Sequence, residues 1–422
     1  MDSDSTVLIH HVLYLLIFVC VLGMIAGKIA SRLRLPDVAL FLFAGMLVGQ
    51  GLHLINETST SLTNQLILTA GSALILFDGG RNIKLSGLRK VWLTVSLLSV
   101  PGVLVTCAAV AAVSHLLLGL PWTYAFLLGA IISSTDPATL IPVFKQVKIR
   151  EKVRETVESE SAFNDATGAI LTASVLAIVL GTKEITLVSG ILDFVKSAVG
   201  GIAVGCLLGF AASYLVAHAN LGVLRDYTTI GMVVTALGAY LLGDILHVSG
   251  FMATFAAGLI WGNAGMFKLS MADKQHEMEH FSENVTVIMR MLIFILLGSQ
   301  VNFTVIGQYL WPSLGIIAVF MFVARPLAVL VCTLPDRRAK WTWKEIVFMF
   351  WVRETGVIPA ALSGMIAGTG IAHADVISSV TFMAVLLTIL VQASTTAFVA
   401  RKLGLEVRND ASALTSNGTE GR

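Results

Sequence analysis

Charge is scarce in this chain. Asp, Glu, Lys and Arg make up 13% of its 422 residues, about half of what a soluble domain of that size carries. So few charges cannot clothe a surface that faces water on every side, which excludes an ordinary soluble enzyme or binding module. The two signs nearly cancel, leaving a formal +2, so there is no basic field for nucleic acid. Cysteine is sparse too. Cys20, Cys107, Cys206 and Cys332 each stand in an apolar run and none forms a CxxC pair. That excludes a disulfide framework or zinc site and leaves inert thiols. No Gly-rich stretch ends in Lys-Ser/Thr: Gly364 to Gly370 lies inside an apolar run. No H-E-x-x-H pattern occurs, and no Ser-His-Asp arrangement is visible. His276 and His280, beside Glu277 and Glu279, read as part of a solvated cytoplasmic loop. Neither an enzyme nor a bound cofactor is expected.

Apolar runs are abundant, recurring from Val7 to Val399. About 20 such residues cross roughly 30 Å of hydrocarbon, so the chain reads as an all-α polytopic membrane protein embedded in lipid. About thirteen spans are expected, near 7–30, 35–51, 63–80, 91–117, 121–144, 152–180, 188–217, 227–243, 246–263, 281–299, 304–333, 344–369 and 375–400. The first run follows acidic Asp2 and Asp4 and is long enough to span, so it is not read as a cleaved signal peptide. Lys and Arg concentrate in alternate connections, for example Arg81/Lys84/Arg89/Lys90, Lys145/Lys148/Arg150/Lys152/Arg154 and Arg337/Arg338/Lys340/Lys344. The intervening connections hold almost none; Lys183 and Lys196 are the exceptions. The bias puts the N-terminus outside and the C-terminus in the cytoplasm. The polar tail after Arg408 reads as disordered.

An odd count suggests two inverted six-span repeats joined by a linker span. The fifth span holds Ser134-Thr135-Asp136-Pro137 and the twelfth Gly356-Val357-Ile358-Pro359, the fifth members of their repeats. Proline at that depth removes a backbone hydrogen bond, so both helices are expected to be broken there. Non-helical backbone in a membrane is tolerated where it lines a cavity. In the seventh span, Gly201, Gly205 and Gly209 repeat every four residues and suit close helix approach.

Buried charge marks the candidate site. The sixth span opens with Glu158-Ser159-Glu160-Ser161-Ala162-Phe163-Asn164-Asp165. On a helix Ser161 and Asp165 share a face, and Glu160 and Asn164 form the adjoining stripe. Asp165 lies eleven residues beyond Arg154, about 16 Å into the membrane. Asp136, Arg325 and Arg353 are comparably deep. Charges there cost about 2.5–3.5 kcal/mol each on insertion scales, so they are rarely idle. Hard cations take oxygen ligands, and burial strengthens a carboxylate's hold on a proton. A carboxylate so placed holds either H+ or a cation, and that competition is the core of an exchanger. Asp165, Ser161 and Thr135 are the expected Na+ ligands, with Asn164 and Glu160 completing the ion- and proton-binding set. Asp136 suits the positive ends of broken helices, and Arg353 or Glu354 the ends at the other break. Asp78, in Leu76-Phe77-Asp78-Gly79-Gly80, either pairs with a buried arginine or sits at the interface. Arg290 has no evident role.

Together these residues resemble a known family. Glu160-Ser161-Ala162-Phe163-Asn164-Asp165, Thr135-Asp136-Pro137, Phe77-Asp78-Gly79-Gly80, Leu35-Pro36 through Gly45 and Gly49, Ala324-Arg325-Pro326 and Arg353 resemble NhaP-type monovalent cation:proton antiporters, relatives of the eukaryotic Na+/H+ exchangers. The likeness runs through about Lys402. Two positions depart from it: Asp78 where the family has Glu, and Glu354 where many relatives have Gly. The resemblance implies an NhaA-like antiporter fold and a homodimer in the cell membrane. It implies core helices at 91–181 and 304–403, scaffold helices at 1–90 and 182–303, and a tail from 404. The core would carry Asp165 across the membrane like an elevator. It also implies electroneutral exchange of Na+, possibly Li+, for H+, because Asn164 precedes the key aspartate. A K+/H+ antiporter of the same fold is the nearest alternative, and a proton-gated cation channel is a different class. A channel requires a continuous pore, often ringed by symmetric ligands, which a lone Asp165 does not provide.

Overall fold

Backbone polar groups in hydrocarbon must be satisfied inside a helix or a closed barrel. In the computed structural model the chain is described at residues 2–33, 35–55, 57–136, 144, 147, 149–182, 187–217, 224–269 and 271–406. Every regular element among them is a helix, and the one β contact is an isolated bridge between Ile149 and Glu406. Pro137, Lys145, Lys148, Lys183 and the tail lie outside the described residues.

The helices run α1 Asp2–Leu33, α2 Asp37–Met46, α3 Leu62–Asn82, α4 Leu85–Leu97, α5 Val103–Leu118 and α6 Trp122–Ile132. Then come α7 Glu151–Val179, α8 Leu187–Ala217, α9 Thr228–Ile245, α10 Gly250–Gly262 and α11 Gln275–Ser299. The last are α12 Phe303–Val319, α13 Arg325–Thr333, α14 Trp343–Trp351, α15 Val357–Ala367, α16 Ala374–Thr388 and α17 Ser394–Leu403. Eight continuous helical stretches among the described residues are long and apolar enough to cross a membrane, and four shorter ones are equally apolar. The outer surface confirms the solvent they meet. Leu62 and Trp311 are 81% and 80% exposed, with dozens of other large apolar side chains beside them. An apolar surface of that extent fits a lipid surrounding. The chain is a multi-pass, all-α membrane protein.

Small residues bring the helices together, since lipid supplies no hydrophobic drive for their association. Gly201, Gly205 and Gly209 on α8 face Ser249, Ala253 and Ala257 along α10, where any Cβ would strike backbone carbonyls. On the other side of α10, Gly258 meets Phe77 and Gly80 meets Phe255, locking α10 to α3.

Two helices are interrupted inside the bundle. α6 stops at Ile132, and Ser134 to Asp136 are non-helical. Between α14 and α15 the chain is non-helical from Val352 to Gly356. This second break lies just before Val357-Ile358-Pro359; Pro359 falls in the first turn of α15, where its missing N–H costs nothing. π-Helical turns occur at Leu98–Gly102, containing Pro101, and at Phe320–Ala324 and Ile389–Ala393. Such turns often mark functional sites. The first places Ser99 against the Glu160 carbonyl, and the second leads directly into Arg325.

Candidate ion-binding site

The two breaks meet. The Asp136 N–H donates to the Glu354 carbonyl at 2.9 Å, so the interrupted strands cross backbone to backbone. Asp136 Oδ2 accepts from the Val357 N–H at 3.4 Å, placing an acid at the N-terminus of α15. In return, Arg353 Nη2 donates to the Ser133 carbonyl, just past the C-terminus of α6. Each break thus sends its charge to the opposite helix's end, with the sign that the end dipole favours. Gly356 is required at the crossing because a Cβ there would collide with the Asp136 side chain.

Thr135 is held by a closed ring of hydrogen bonds. Asn164 Nδ2 donates to Thr135 Oγ1 at 2.8 Å, and Thr135 Oγ1 donates to Ser161 Oγ at 2.9 Å. Ser161 Oγ donates to the Thr135 carbonyl at 2.6 Å, and the Thr135 N–H donates to Asn164 Oδ1 at 3.0 Å. Helical spacing on α7 puts Ser161, Asn164 and Asp165 on one side, and the ring binds that side to the non-helical segment. Asp165 is the middle residue of α7 and is 7% exposed. Its Oδ1 has no hydrogen-bond partner among the described residues, and the Ser134 hydroxyl is the side-chain donor that faces the carboxylate. A cavity of about 310 Å³ reaches this carboxylate, lined also by Asp78, Asn82, Lys84, Arg154 and Glu158.

Two other charges are committed elsewhere. Glu160, expected in the ion- and proton-binding set, gives both oxygens to Arg325, one at 2.9 Å from Nη2 and the other to Nη1. Both residues are at most 2% exposed. Arg325 also donates to the carbonyls of Met349 (2.9 Å) and Val352 (3.3 Å), completing the frayed end of α14. Glu160 is therefore the counter-charge of Arg325. It points away from Asp165 because five residues along a helix turn the side chain by roughly 140°.

Asp78 and Arg353 do not meet. Asp78 pairs with Arg81 at 2.8 Å and accepts from Asn82, Ser282 and Thr286, which ties α3 to α11. Arg353 instead lies over the Phe320 ring, 4.8 Å from its centroid, besides its bond to Ser133. Glu354 is fully buried; Oε1 accepts from Thr396 at 3.4 Å, and Oε2 has no hydrogen-bond partner among the described residues. Replacing Arg353 with Ala should lower stability by about 1–3 kcal/mol, the cost of an unsatisfied carbonyl with its helix end uncompensated. Arg353→Lys should recover part of it. Thermal denaturation in detergent checks the order; equal melting temperatures for both variants and the parent would rule out the pairing role.

Sequence reasoning missed three features. Arg290 pairs with Asp37 at 3.0 Å, joining α11 to the start of α2. Thr388, Gln392 and Thr396 form a polar stripe facing Glu354 and Thr355, and Thr388 Oγ1 accepts from the Thr355 N–H at 3.1 Å. Their spacing of four was a legible signal. Lys152, between Glu345 (2.8 Å) and the Trp341 ring (4.3 Å), clasps α7 to α14. His276 and His280 lie in the first turns of α11, not in a loop, with ring centroids 4.3 Å apart. No group of three or more metal-ligating side chains occurs among the described residues.

The model of the family described as "Sodium/hydrogen exchanger, transmembrane" matches residues 14–402. This chain belongs to that family. As an exchanger-family chain it is 30% identical over 406 residues to Na(+)/H(+) antiporter 1 of Methanocaldococcus jannaschii, covering 91% of this chain and 93% of that protein. It is also 30% identical over 407 residues to the K(+)/H(+) antiporter NhaP of Alkalimonas amylolytica, covering 96% and 68%. The solved structure of the sodium proton antiporter MjNhaP1 from M. jannaschii at pH 8 superposes with a TM-score of 0.81 at 28% identity, covering 94% of this chain and 99% of that one. The crossing, the Thr135 ring, Asp165 and the Arg325–Glu160 pair all fall inside the family match.

Proposed function

We propose that this exchanger-family chain is a secondary antiporter that trades a monovalent cation for H+ at Asp165. The observation that carries this reading is the Asp165 carboxylate, buried at mid-helix with Oδ1 unpartnered among the described residues and open to the cavity of about 310 Å³. A cation arriving there finds one anionic oxygen and, close by, the Thr135 carbonyl and the Ser161 and Ser134 hydroxyls. Cation and proton exclude each other because both neutralise the same carboxylate. Relatives named for Na+ and for K+ both align over most of the chain, so Na+ is the leading cargo and K+ the alternative. Asn164 cannot titrate, Glu160 is held as the partner of Arg325, and Glu354 lines no part of the cavity. With Asp165 as the one group that trades its proton for the cation, exchange is electroneutral.

The finer architecture belongs to the same proposal. The helices group into thirteen spans as two inverted six-span repeats whose breaks meet at the crossing. The core at 91–181 and 304–403 moves against a scaffold at 1–90 and 182–303 in a homodimer of the plasma membrane. The N-terminus lies outside. The cavity then opens toward the cytoplasm, since Lys84 and Arg154 stand at its mouth.

Purified protein in proteoliposomes tests the function. An imposed Na+ or K+ gradient should drive a saturable, opposite H+ flux, whereas non-saturating uncoupled cation flow would indicate a channel. Thr135→Val removes one link of the ring and one hydroxyl beside the site, and should raise the half-saturating cation concentration several-fold with little loss of maximal rate. An unchanged half-saturation would eliminate that side chain as a contributor.

A further inference from the structure

A second cavity, of about 510 Å³, adjoins the first. Its basic lining comes from three places: Arg81 at the end of α3, Lys84 just before α4, and Lys268, which follows the short helical turn Ala264–Phe267 in a left-handed conformation. Arg81 is already neutralised by Asp78. Lys84 and Lys268 are exposed and form no ion pair among the described residues. The one acid on the lining is Glu279, which accepts from Gln275 at 2.8 Å. Lys274 and Arg225, outside the lining, are paired with Glu277 and Asp273. Two unpaired ammonium groups therefore face a half-apolar hollow floored by Trp261, Leu269 and Met278.

Beside Lys268, Met266 is 67% exposed, and exposed Phe267 packs edge-on against exposed Phe210 of α8 at 5.3 Å. Cationic head contacts next to an outward apolar strip, at the ends of membrane-crossing helices, have the layout of an anionic lipid. Asn82 and Lys84 line both cavities. We propose that this pocket binds the phosphate headgroup of an anionic phospholipid through Lys84 and Lys268, and that its occupancy eases cation entry to Asp165. The second half rests on the proposed function. Lys84 at the mouth of the Asp165 cavity repels an incoming cation, and a phosphate drawn onto it offsets that charge.

Two readouts test the pair of claims. In detergent, dioctanoyl phosphatidylglycerol should raise the melting temperature of the parent protein, while dioctanoyl phosphatidylcholine and millimolar inorganic phosphate should not. An equal shift from inorganic phosphate would overturn the lipid in favour of a free-anion site, and no shift from the anionic lipid would overturn the site itself. In proteoliposomes, replacing one fifth of the phosphatidylcholine by phosphatidylglycerol should lower the parent's half-saturating cation concentration about five-fold. Lys268→Gln should exchange like the parent in pure phosphatidylcholine and lose most of the response; Lys268→Arg should keep it. The Lys268→Gln protein in anionic vesicles also gives the effect of bulk surface potential alone, so a response equal to the parent's would overturn the regulatory role. Failure of antiport itself leaves the melting shift as an independent readout of binding.

Discussion

Asp165→Asn should reduce cation-driven H+ flux to the level of empty vesicles while the protein folds and migrates as the parent does. The amide cannot release a proton or bring the negative charge that holds a cation. Stability should hold or rise. The parent buries a carboxylate whose Oδ1 has no partner among the described residues, and a neutral side chain of the same shape removes part of that desolvation cost. Loss of flux with a melting temperature at or above the parent's separates a transport residue from a packing residue. Flux near the parent's rate would eliminate Asp165 as the exchange site.

The second large effect is on stability. Arg325→Ala should destabilise by about 3–5 kcal/mol, since it strands the buried Glu160 charge. It also leaves the Met349 and Val352 carbonyls without their donor. Glu160→Leu combined with Arg325→Met should cost less than Arg325→Ala alone, because removing both charges removes the penalty of leaving one. Denaturant or thermal unfolding of the single and double variants measures this coupling. A single variant within 1 kcal/mol of the parent would mean that the pair does not hold α7 to the broken end of α14.

The local half of the site was legible in the sequence. Ser161, Asn164 and Asp165 fall together because a helix repeats every 3.6 residues, and Asp136 announces its helix break through the proline that follows. Long-range partners were not legible. Glu160 finds Arg325 from 165 positions away, and Arg290 finds Asp37 from 253. Nothing in helical periodicity selects such a pair; the docking of several helices does. Asp78 illustrates the consequence. The sequence left open a distant buried arginine as its partner, but Arg81 one turn along the same helix satisfies it first. The stripe Thr388, Gln392 and Thr396 escaped notice for another reason. Neutral polar residues cost little in a membrane helix and stand out far less than charges. Membrane class, by contrast, was plain from composition, because lipid demands apolar surface over nearly every span.

The central claim is that one proton and one cation share a single carboxylate, and membrane voltage tests it most directly. Proteoliposomes are loaded with a fixed cation gradient, the potential is clamped at zero and at 100 mV, and the final pH gradient is read at each. With one charge exchanged for one, the cation gradient alone sets the end point, so the two readings should coincide. A potential of 100 mV is worth about 2.3 kcal/mol per net charge moved, which shared between two protons displaces the end point by about 0.8 pH unit. An end point that moves with voltage would contradict one-for-one exchange and require a second proton-carrying group, with the fully buried Glu354 the first to examine.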